Sequence, residues 1–347
     1  MESQTRSLAA VTTGESVVRE KPLPGAVLTR VASSHIRVGT FQFFAAKCDV
    51  EAVKLLADHV VARHYPEAAK ADRPYRALLD EVISRQELVS RWLLVGFIHG
   101  VMNTDNMSIA GETIDYGPCA FMDSYDAGKV FSSIDHQGRY AYGNQPRIAH
   151  WNLVRLAEAL LPILCDEQEQ ALVEANEALA GFGECFGAAL QSGMNRKLGL
   201  STECDDDPLL AEDLLNIMAA QNVDFTLTFR RLSDAAAGAG ADEPVRRLFA
   251  DPAPYEAWAL RWRKRLDAEP QYAAGRHAAM RAVNPAYIAR NHRVEAVIDA
   301  AVGGGNFAPF DELLTVLSHP FEDRPGFEHY ADPPQPHEQV RQTFCGT

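Results

Sequence analysis

The sequence predicts an α+β protein that is predominantly helical, and three observations support this prediction. Residues 8–31 alternate apolar and polar side chains, which is the period of a half-buried β-strand. Residues 50–65, 75–96 and 151–164 instead repeat apolar side chains at three- and four-residue spacing, as amphipathic helices do. With 347 residues, 47% of them hydrophobic, the chain is long enough to bury a substantial core.

The elements follow one another in a simple order. A turn at Thr13-Gly14 and a connection over residues 22–25 divide the alternating segment, so it predicts short antiparallel strands. The three helical segments come next, with a polar segment between the second and the third. Helical patterns then continue from Gln168 to about Leu317. Residues 332–339 are rich in proline and predict an extended segment that lies over the surface.

Composition excludes several classes of protein. The net charge of −14 argues against a nucleic-acid partner, because binding to phosphates needs a basic face. No apolar run approaches the roughly 20 residues that span a bilayer, and the first residues have no leucine-rich segment of a secretory signal. The six cysteines form no C-x-x-C pair and no zinc spacing. We therefore expect a cytoplasmic protein with no membrane partner.

The polar segment is the most informative part of the sequence. Residues 99–118 read HGVMNTDNMSIAGETIDYGP, and we expect 107–109 and 113–115 to form a hairpin that turns at Gly111. Such a hairpin would bring Asp115 beside Asn106. Mg²⁺ prefers oxygen ligands and is usually held by one or two carboxylates plus substrate phosphates. Asn106 and Asp115 are therefore candidate metal ligands, and Asp105 is a candidate general base.

This segment is similar to the catalytic loop and the metal-binding Asp-x-Gly of protein kinases, with altered spacing. Six other segments belong with it: LTRVA at 28–32, SHIRVGTF at 34–41, DHQGRYAY at 135–142, NQP at 144–146, DFTLTFRRL at 224–232 and NPAY at 284–287. Taken together, the seven segments resemble the selenoprotein O (SelO) family. The resemblance covers almost the whole chain.

The resemblance implies a protein-kinase-like large lobe and the transfer of AMP from ATP to hydroxyl side chains of proteins. It implies that Asp105 is the catalytic base and that Asn106 and Asp115 hold Mg²⁺, with Mn²⁺ as an alternative metal. It also implies that Arg30 and Arg37 clamp the ATP phosphates, with Asp115 contributing to nucleotide binding. A guanidinium suits this role because it offers phosphate oxygens a rigid fork of donors. The expected partners are ATP and proteins with Ser, Thr or Tyr hydroxyls.

The resemblance also implies a domain organisation. Residues 1–40 would be a remnant of the small lobe with the phosphate clamp, 41–165 the large lobe with its catalytic loop and activation-like segment, 166–320 its helical continuation and 321–347 an extended tail. Family members carry a glycine-rich segment, a lysine and a glutamate before the LTRVA motif. Residues 1–25 contain no glycine-rich segment, and Lys21 is their sole lysine, so we expect the chain to lack most of the small lobe.

Two alternatives to AMP transfer stay open. Without most of the small lobe, the chain could be a catalytically impaired pseudoenzyme that acts as a binding protein. It could also be an ordinary kinase-like phosphotransferase, because metal ligands and a base do not by themselves choose between the α- and the γ-phosphorus of ATP.

Cys345 is a candidate redox residue. It stands third from the end, where the resemblance places the family's selenocysteine. Residues 130–133 carry no cysteine for a disulfide with the tail, and Cys119, just after the DYGP sequence, is the nearest alternative partner. Cys119 has an equally simple interpretation as a small buried residue.

Overall fold

The computed structural model describes residues 5–18, 22–270 and 273–344. Its first two strands, β1 (Arg6–Val18) and β2 (Pro22–Val31), form an antiparallel hairpin, as the alternation predicts. Most of the hairpin's side chains are exposed. A second, very short antiparallel pair joins β3 (Phe97–Ile98) to β4 (Ala120–Phe121).

The other described elements are mainly helices, which confirms a predominantly helical α+β protein. In chain order they are α1 (Val38–Ala45), α2 (Val50–His64), α3 (Pro74–Arg85), α4 (Leu88–Leu94), α5 (Gln145–Leu164), α6 (Gln168–Lys197), α7 (Asp207–Gln221), α8 (Phe225–Ala235), α9 (Glu243–Arg246), α10 (Ala253–Asp267), α11 (Ala273–Arg281), α12 (Asn291–Gly304) and α13 (Ala308–Leu317).

The first core cluster lies among α1 to α6, and most of its residues occupy apolar positions that the sequence pattern marks. The helix predicted for residues 50–65 is confirmed as α2. The single helix predicted for 75–96 is wrong, because the chain breaks at Gln86 between α3 and α4. Gln86 is buried there, and its Nε2 donates to the Ser108 carbonyl oxygen at 3.1 Å. The side chain at the break therefore anchors the polar segment to the helices.

The second core cluster includes residues of α4 and of α7 to α11, and the 30-residue α6 connects it to the first. Ala171 and Phe182 of α6 lie in the first cluster, whereas Met194 lies in the second. At Gly193 the helix passes so close to α4 that an added Cβ would stand 2.1 Å from Leu94 Cδ1. A glycine fits this crossing because a side chain at position 193 would force the Leu94 side chain to move.

A third, smaller cluster packs α12 and α13 against Tyr287 and Tyr330. The tail beyond it runs back to the segment after β4, where Thr343 forms a parallel bridge with Ser132. The Thr343 amide donates to Phe131 O, and its hydroxyl bonds Pro118 O. Among the described residues, no helix is both long and apolar enough to cross a bilayer.

Candidate active site

The polar segment forms a loop whose two ends are joined by β3 and β4. Phe97 pairs with Phe121, and Ile98 pairs with Ala120. The loop of residues 99–119 therefore begins and ends at the same small sheet. Asp105, Asn106 and Asp115 all lie on this loop. At its base, Gly100 lies close enough to Pro118 that a Cβ on the glycine would stand 2.9 Å from the proline carbonyl oxygen.

His99 ties the two limbs of the loop together. Its Nε2 lies 2.8 Å from the carbonyl oxygen of Ile114, the residue before Asp115. Because a carbonyl oxygen only accepts, Nε2 carries the proton. The His99 amide donates to Gln145 Oε1 at 3.0 Å, and the ring packs beside Trp92. Burial lowers the pKa of this histidine, so it stays neutral and braces the loop.

Asp105 lies on a 3₁₀ turn over Thr104–Asn106, and its side chain is exposed. The turn begins at Asn103, whose Oδ1 accepts a hydrogen bond from the Asp105 amide at 3.1 Å. The Asn106 amide also donates to Asn103 O at 3.0 Å. A side-chain cap of this kind fixes the backbone of the turn. It uses the amide of Asp105, so the carboxylate is not part of the cap.

Asn106 is buried, and a contact with the backbone orients its side chain. Its Nδ2 donates to Val101 O at 2.9 Å. Since that partner is a carbonyl, only the amide nitrogen can face it, and the side-chain oxygen must point elsewhere. The oxygen is therefore the atom that Asn106 offers to a ligand.

Asp115 adopts a left-handed backbone with φ of +60°, and it is half-buried. Non-glycine residues adopt this conformation infrequently, and it costs of order 1 kcal/mol or more when they do. Strain of this kind is concentrated at functional sites, where the surrounding structure maintains it. Here the bond from His99 to the preceding carbonyl contributes to holding it.

Arg37 is brought to this loop by an antiparallel bridge with Ser108. The Val38 amide donates to Met107 O at 3.0 Å, and the Ile109 amide donates to Ile36 O at 3.2 Å. These bonds hold Arg37 opposite Ser108, which is two residues after Asn106 on the loop. Its Nε is buried without a hydrogen-bond partner. The guanidinium therefore retains unused donor capacity beside the loop.

Arg30 lies near the end of β2, opposite Ser7, and is exposed. Three residues further on, the Ser33 amide donates to Glu112 Oε2 at 2.9 Å, which attaches the end of the hairpin to the polar loop. In the part of the chain that the structure describes, neither Arg30 nor Arg37 forms an ion pair with a carboxylate. Both side chains are thus available to an anion.

The donor atoms suit a hard cation bound together with phosphates. Asn106 and Asp115 offer oxygen, the ligand type that Mg²⁺ and Mn²⁺ prefer. Across residues 5–18, 22–270 and 273–344, no group of three or more His, Cys, Asp or Glu side chains is arranged to hold a metal. A cation at Asn106 and Asp115 would therefore need the rest of its coordination from substrate phosphates and water.

The hairpin expected at Gly111 is wrong, because residues 107–109 do not pair with 113–115. A turn does occur there, with Gly111 at φ +69° and its amide donating to Ser108 O. Residues 107–109 pair with 36–38, however, and Thr113 O accepts from the Thr5 amide at 3.2 Å. Each limb thus finds its partner in the N-terminal part of the chain.

The two candidate cysteines have different outcomes. Burial and the nearby Asp115 raise the pKa of the Cys119 thiol to about 12, so little of it is the reactive thiolate near neutral pH. Cys345 lies outside the described residues. Its redox role stays a prediction.

Sequence reasoning missed several side chains that anchor the polar loop from the helices. The Tyr65 hydroxyl bonds Ile109 O, Trp92 Nε1 donates to Thr113 Oγ1 at 2.9 Å, and Gln145 Nε2 donates to Phe97 O at 3.0 Å. Gln145, the first residue of α5, and Gln86, which directly follows α3, are both buried amides. A polar residue at the end of an apolar helical pattern is the signal that could have indicated them, because a buried amide needs a partner.

The sequence of this chain is similar to those of known proteins. A family model described as "Protein adenylyltransferase SelO" matches residues 3–318. A protein nucleotidyltransferase YdiU from Rhodopseudomonas palustris (strain BisB18) is 67% identical over 99% of this chain and 70% of the relative. Proteins of the same name from Methylorubrum populi and Bradyrhizobium diazoefficiens are 65% and 64% identical, with the same coverage of both chains.

These matches place the protein in the class of nucleotidyltransferases. More narrowly, the chain belongs to the SelO family of protein adenylyltransferases, and the resemblance inferred from its sequence is confirmed.

Proposed function

We propose that this protein transfers AMP from ATP to Ser, Thr or Tyr hydroxyls of proteins in a Mg²⁺-dependent reaction. Asp105 is the base, Asn106 and Asp115 hold the metal, and Arg30 and Arg37 bind the phosphates. The observation that carries the proposal is the pairing of Arg37 with Ser108, which sets an arginine without a carboxylate partner beside the Asp105–Asn106 turn. A base next to a phosphate-binding guanidinium is what nucleotidyl transfer requires.

In this reaction the acceptor hydroxyl oxygen attacks the α-phosphorus of ATP. The bond from that phosphorus to the oxygen that bridges it to the β-phosphorus breaks, and pyrophosphate leaves with the electron pair. Asp105 takes the proton of the hydroxyl, which is consistent with its exposed carboxylate. Arg30 and Arg37 donate hydrogen bonds to phosphate oxygens and offset the charge that develops on the leaving pyrophosphate.

The oxygens of Asn106 and Asp115 would hold the cation. A bound Mg²⁺ neutralises phosphate charge and orients the triphosphate, and Mn²⁺ could replace it. The chain's own contribution is rigidity. Val101 O fixes the Asn106 amide, and His99 fixes the carbonyl next to Asp115. The Asn106 side chain and the backbone that carries Asp115 therefore need little reorganisation on binding.

Three finer expectations belong to the same proposal. The helices from α1 onward would form a protein-kinase-like large lobe, with the domain limits expected from the sequence. The partners would be ATP and protein hydroxyls, and the protein would act in the cytoplasm. The polar loop enclosed by β3 and β4 supports the first expectation, since it carries an asparagine and an Asp-x-Gly sequence in the kinase order.

The test is label transfer by the 347-residue chain, with ATP carrying ³²P at either the α- or the γ-position. The chain itself and an added unfolded protein rich in Ser, Thr and Tyr serve as acceptors. We expect label from the α-position alone. Label from the γ-position would replace the proposal with phosphoryl transfer, and ATP binding without any transfer would favour a binding protein.

The assignment of the base is tested in the same assay. Asp105→Asn keeps the size of the side chain and should lower the transfer rate by about 10²–10⁴, while ATP affinity stays unchanged. Asp299→Asn on the exposed face of α12 is the matched control and should transfer at the wild-type rate. Wild-type rates from Asp105→Asn would place the base elsewhere.

A further inference from the structure

Gly39 lies against the side chain of Asp105, although 66 positions separate the two residues. A Cβ added to Gly39 would stand 2.1 Å from Asp105 Oδ1, 3.1 Å from its Cγ and 3.4 Å from its amide nitrogen. All three of the nearest atoms thus belong to Asp105. Apart from the chain neighbours of Gly39 and the backbone of its own helix, no described residue comes closer to this Cβ position.

The backbone conformation of Gly39 does not require a glycine. Gly39 is the second residue of α1, and it is not among the positive-φ glycines of the described chain. Within a helix, glycine is less favourable than alanine by about 0.5–1 kcal/mol. What a glycine provides at this position is space.

The surrounding backbone leaves little freedom to relieve a clash. Val38, the neighbour of Gly39, donates to Met107 O at 3.0 Å, and the Asp105 amide is held by Asn103 Oδ1. A methyl group at position 39 would therefore be accommodated by rotation of the Asp105 side chain. To reach 3.0 Å, the shortest separation that Cβ atoms tolerate, Oδ1 would have to move by about 0.9 Å.

We propose that Gly39 is a positioning residue for Asp105, because its missing side chain lets the Asp105 carboxylate lie against the first turn of α1, two positions from Arg37. This inference rests on the proposed function, in which Asp105 is the base. Rotation of an exposed side chain costs the fold little. A misplacement of about 1 Å at a reacting group, in contrast, can cost about 10²-fold in rate.

The experiment compares Gly39→Ala with Gly187→Ala. Gly187 lies in α6, and a Cβ there would meet nothing within 4 Å. We expect Gly39→Ala to lower kcat for AMP transfer by about ten- to a hundredfold, with KM for ATP unchanged and the midpoint of thermal unfolding not lowered. Gly187→Ala should keep the wild-type kcat. A fully active Gly39→Ala, or one that loses activity because it unfolds, would overturn the inference.

A double variant separates this inference from the proposed function. If Gly39 acts through Asp105, adding Gly39→Ala to Asp105→Asn should not lower the residual rate further. A further loss would show that Gly39 acts independently of Asp105 and would overturn the inference. Wild-type rates from Asp105→Asn alone would instead overturn the assignment of the base.

A crystal structure of Gly39→Ala supplies a measurement that does not depend on activity. We expect the Asp105 carboxylate to be displaced by about 0.9 Å or more while α1 keeps its place. An unmoved Asp105 with a shifted α1 would contradict the proposal.

Discussion

The imidazole of His99 donates from Nε2 to the carbonyl oxygen of Ile114, 2.8 Å away and one residue before Asp115. The histidine is fully buried, and its own amide is bonded to Gln145 on α5. One side chain thus connects the strained backbone at Asp115 to the helical core. The geometry of the candidate metal ligand depends on this connection.

His99→Phe should therefore destabilise the fold and weaken nucleotide binding. Phenylalanine keeps a ring but leaves Ile114 O buried without a donor, which costs about 1–3 kcal/mol of unfolding free energy. Denaturant unfolding measures this loss. The matched control is His150→Phe, since His150 is exposed beside Phe182. Equal losses from both variants would contradict the bracing role.

Asp115→Asn should abolish the Mg²⁺ dependence of ATP binding. Asparagine tolerates a left-handed backbone, so this variant removes the charge without adding strain, which Asp115→Ala would do. Calorimetric titration of ATP with and without Mg²⁺ measures the effect, and Asp299→Asn on α12 is the control. If Asp115→Asn keeps the metal dependence of the wild type, Asp115 is not a metal ligand.

Arg37→Lys should weaken ATP binding by about ten- to a hundredfold, because a lysine cannot reproduce the two-pronged contact of a guanidinium with a phosphate. The stability of the fold should not change, since Arg37 forms no ion pair in the described chain. Arg247→Lys, at an exposed position paired with Glu243, is the control. Unchanged ATP affinity in Arg37→Lys would exclude a phosphate contact.

We expect the buried Lys197 to give the stability of the fold an unusual pH dependence. Its side chain is buried at the end of α6, with Nζ 4.2 Å from the ring centroid of Phe229, and burial lowers its pKa from 10.5 to about 7. At a pH between these two pKa values, Lys197 is protonated in the unfolded chain and neutral in the folded chain. The free energy of unfolding contributed by this group therefore rises with pH from about 7 to 10.5, by up to about 1.4 kcal/mol per pH unit.

Lys197→Met should remove this contribution while keeping the packing against the aromatic rings. Denaturant titrations at several pH values between 7 and 10 should give a smaller increase of stability with pH for the variant than for the wild type. Lys264→Met, at an exposed position of α10, controls for the loss of one positive charge. Parallel curves for wild type and Lys197→Met would mean that the buried lysine titrates alike in the folded and unfolded states.

Local patterns predicted much of the secondary structure because the spacing of apolar side chains follows the geometry of a single strand or helix. Alternation over residues 8–31 gave the β1–β2 hairpin, and three- and four-residue spacing gave α2 and most of α5. The same spacing ran through Gln86 without interruption and so predicted one helix where the chain forms two. At the break Gln86 bonds to Ser108, 22 positions away, and no local pattern contains such a contact.

For the candidate site, too, some features follow from the sequence and others only from the tertiary structure. The sequence by itself determined the kinds of side chain on residues 99–118, the order of Asp105, Asn106 and Asp115, and membership of the SelO family. Only the tertiary structure decided that residues 107–109 pair with 36–38, so that Arg37 faces Ser108 and Gly39 faces Asp105. The physical reason is that backbone donors and acceptors are the same at every residue. Which partner a short polar segment finds is therefore fixed by the packing of the helices around it.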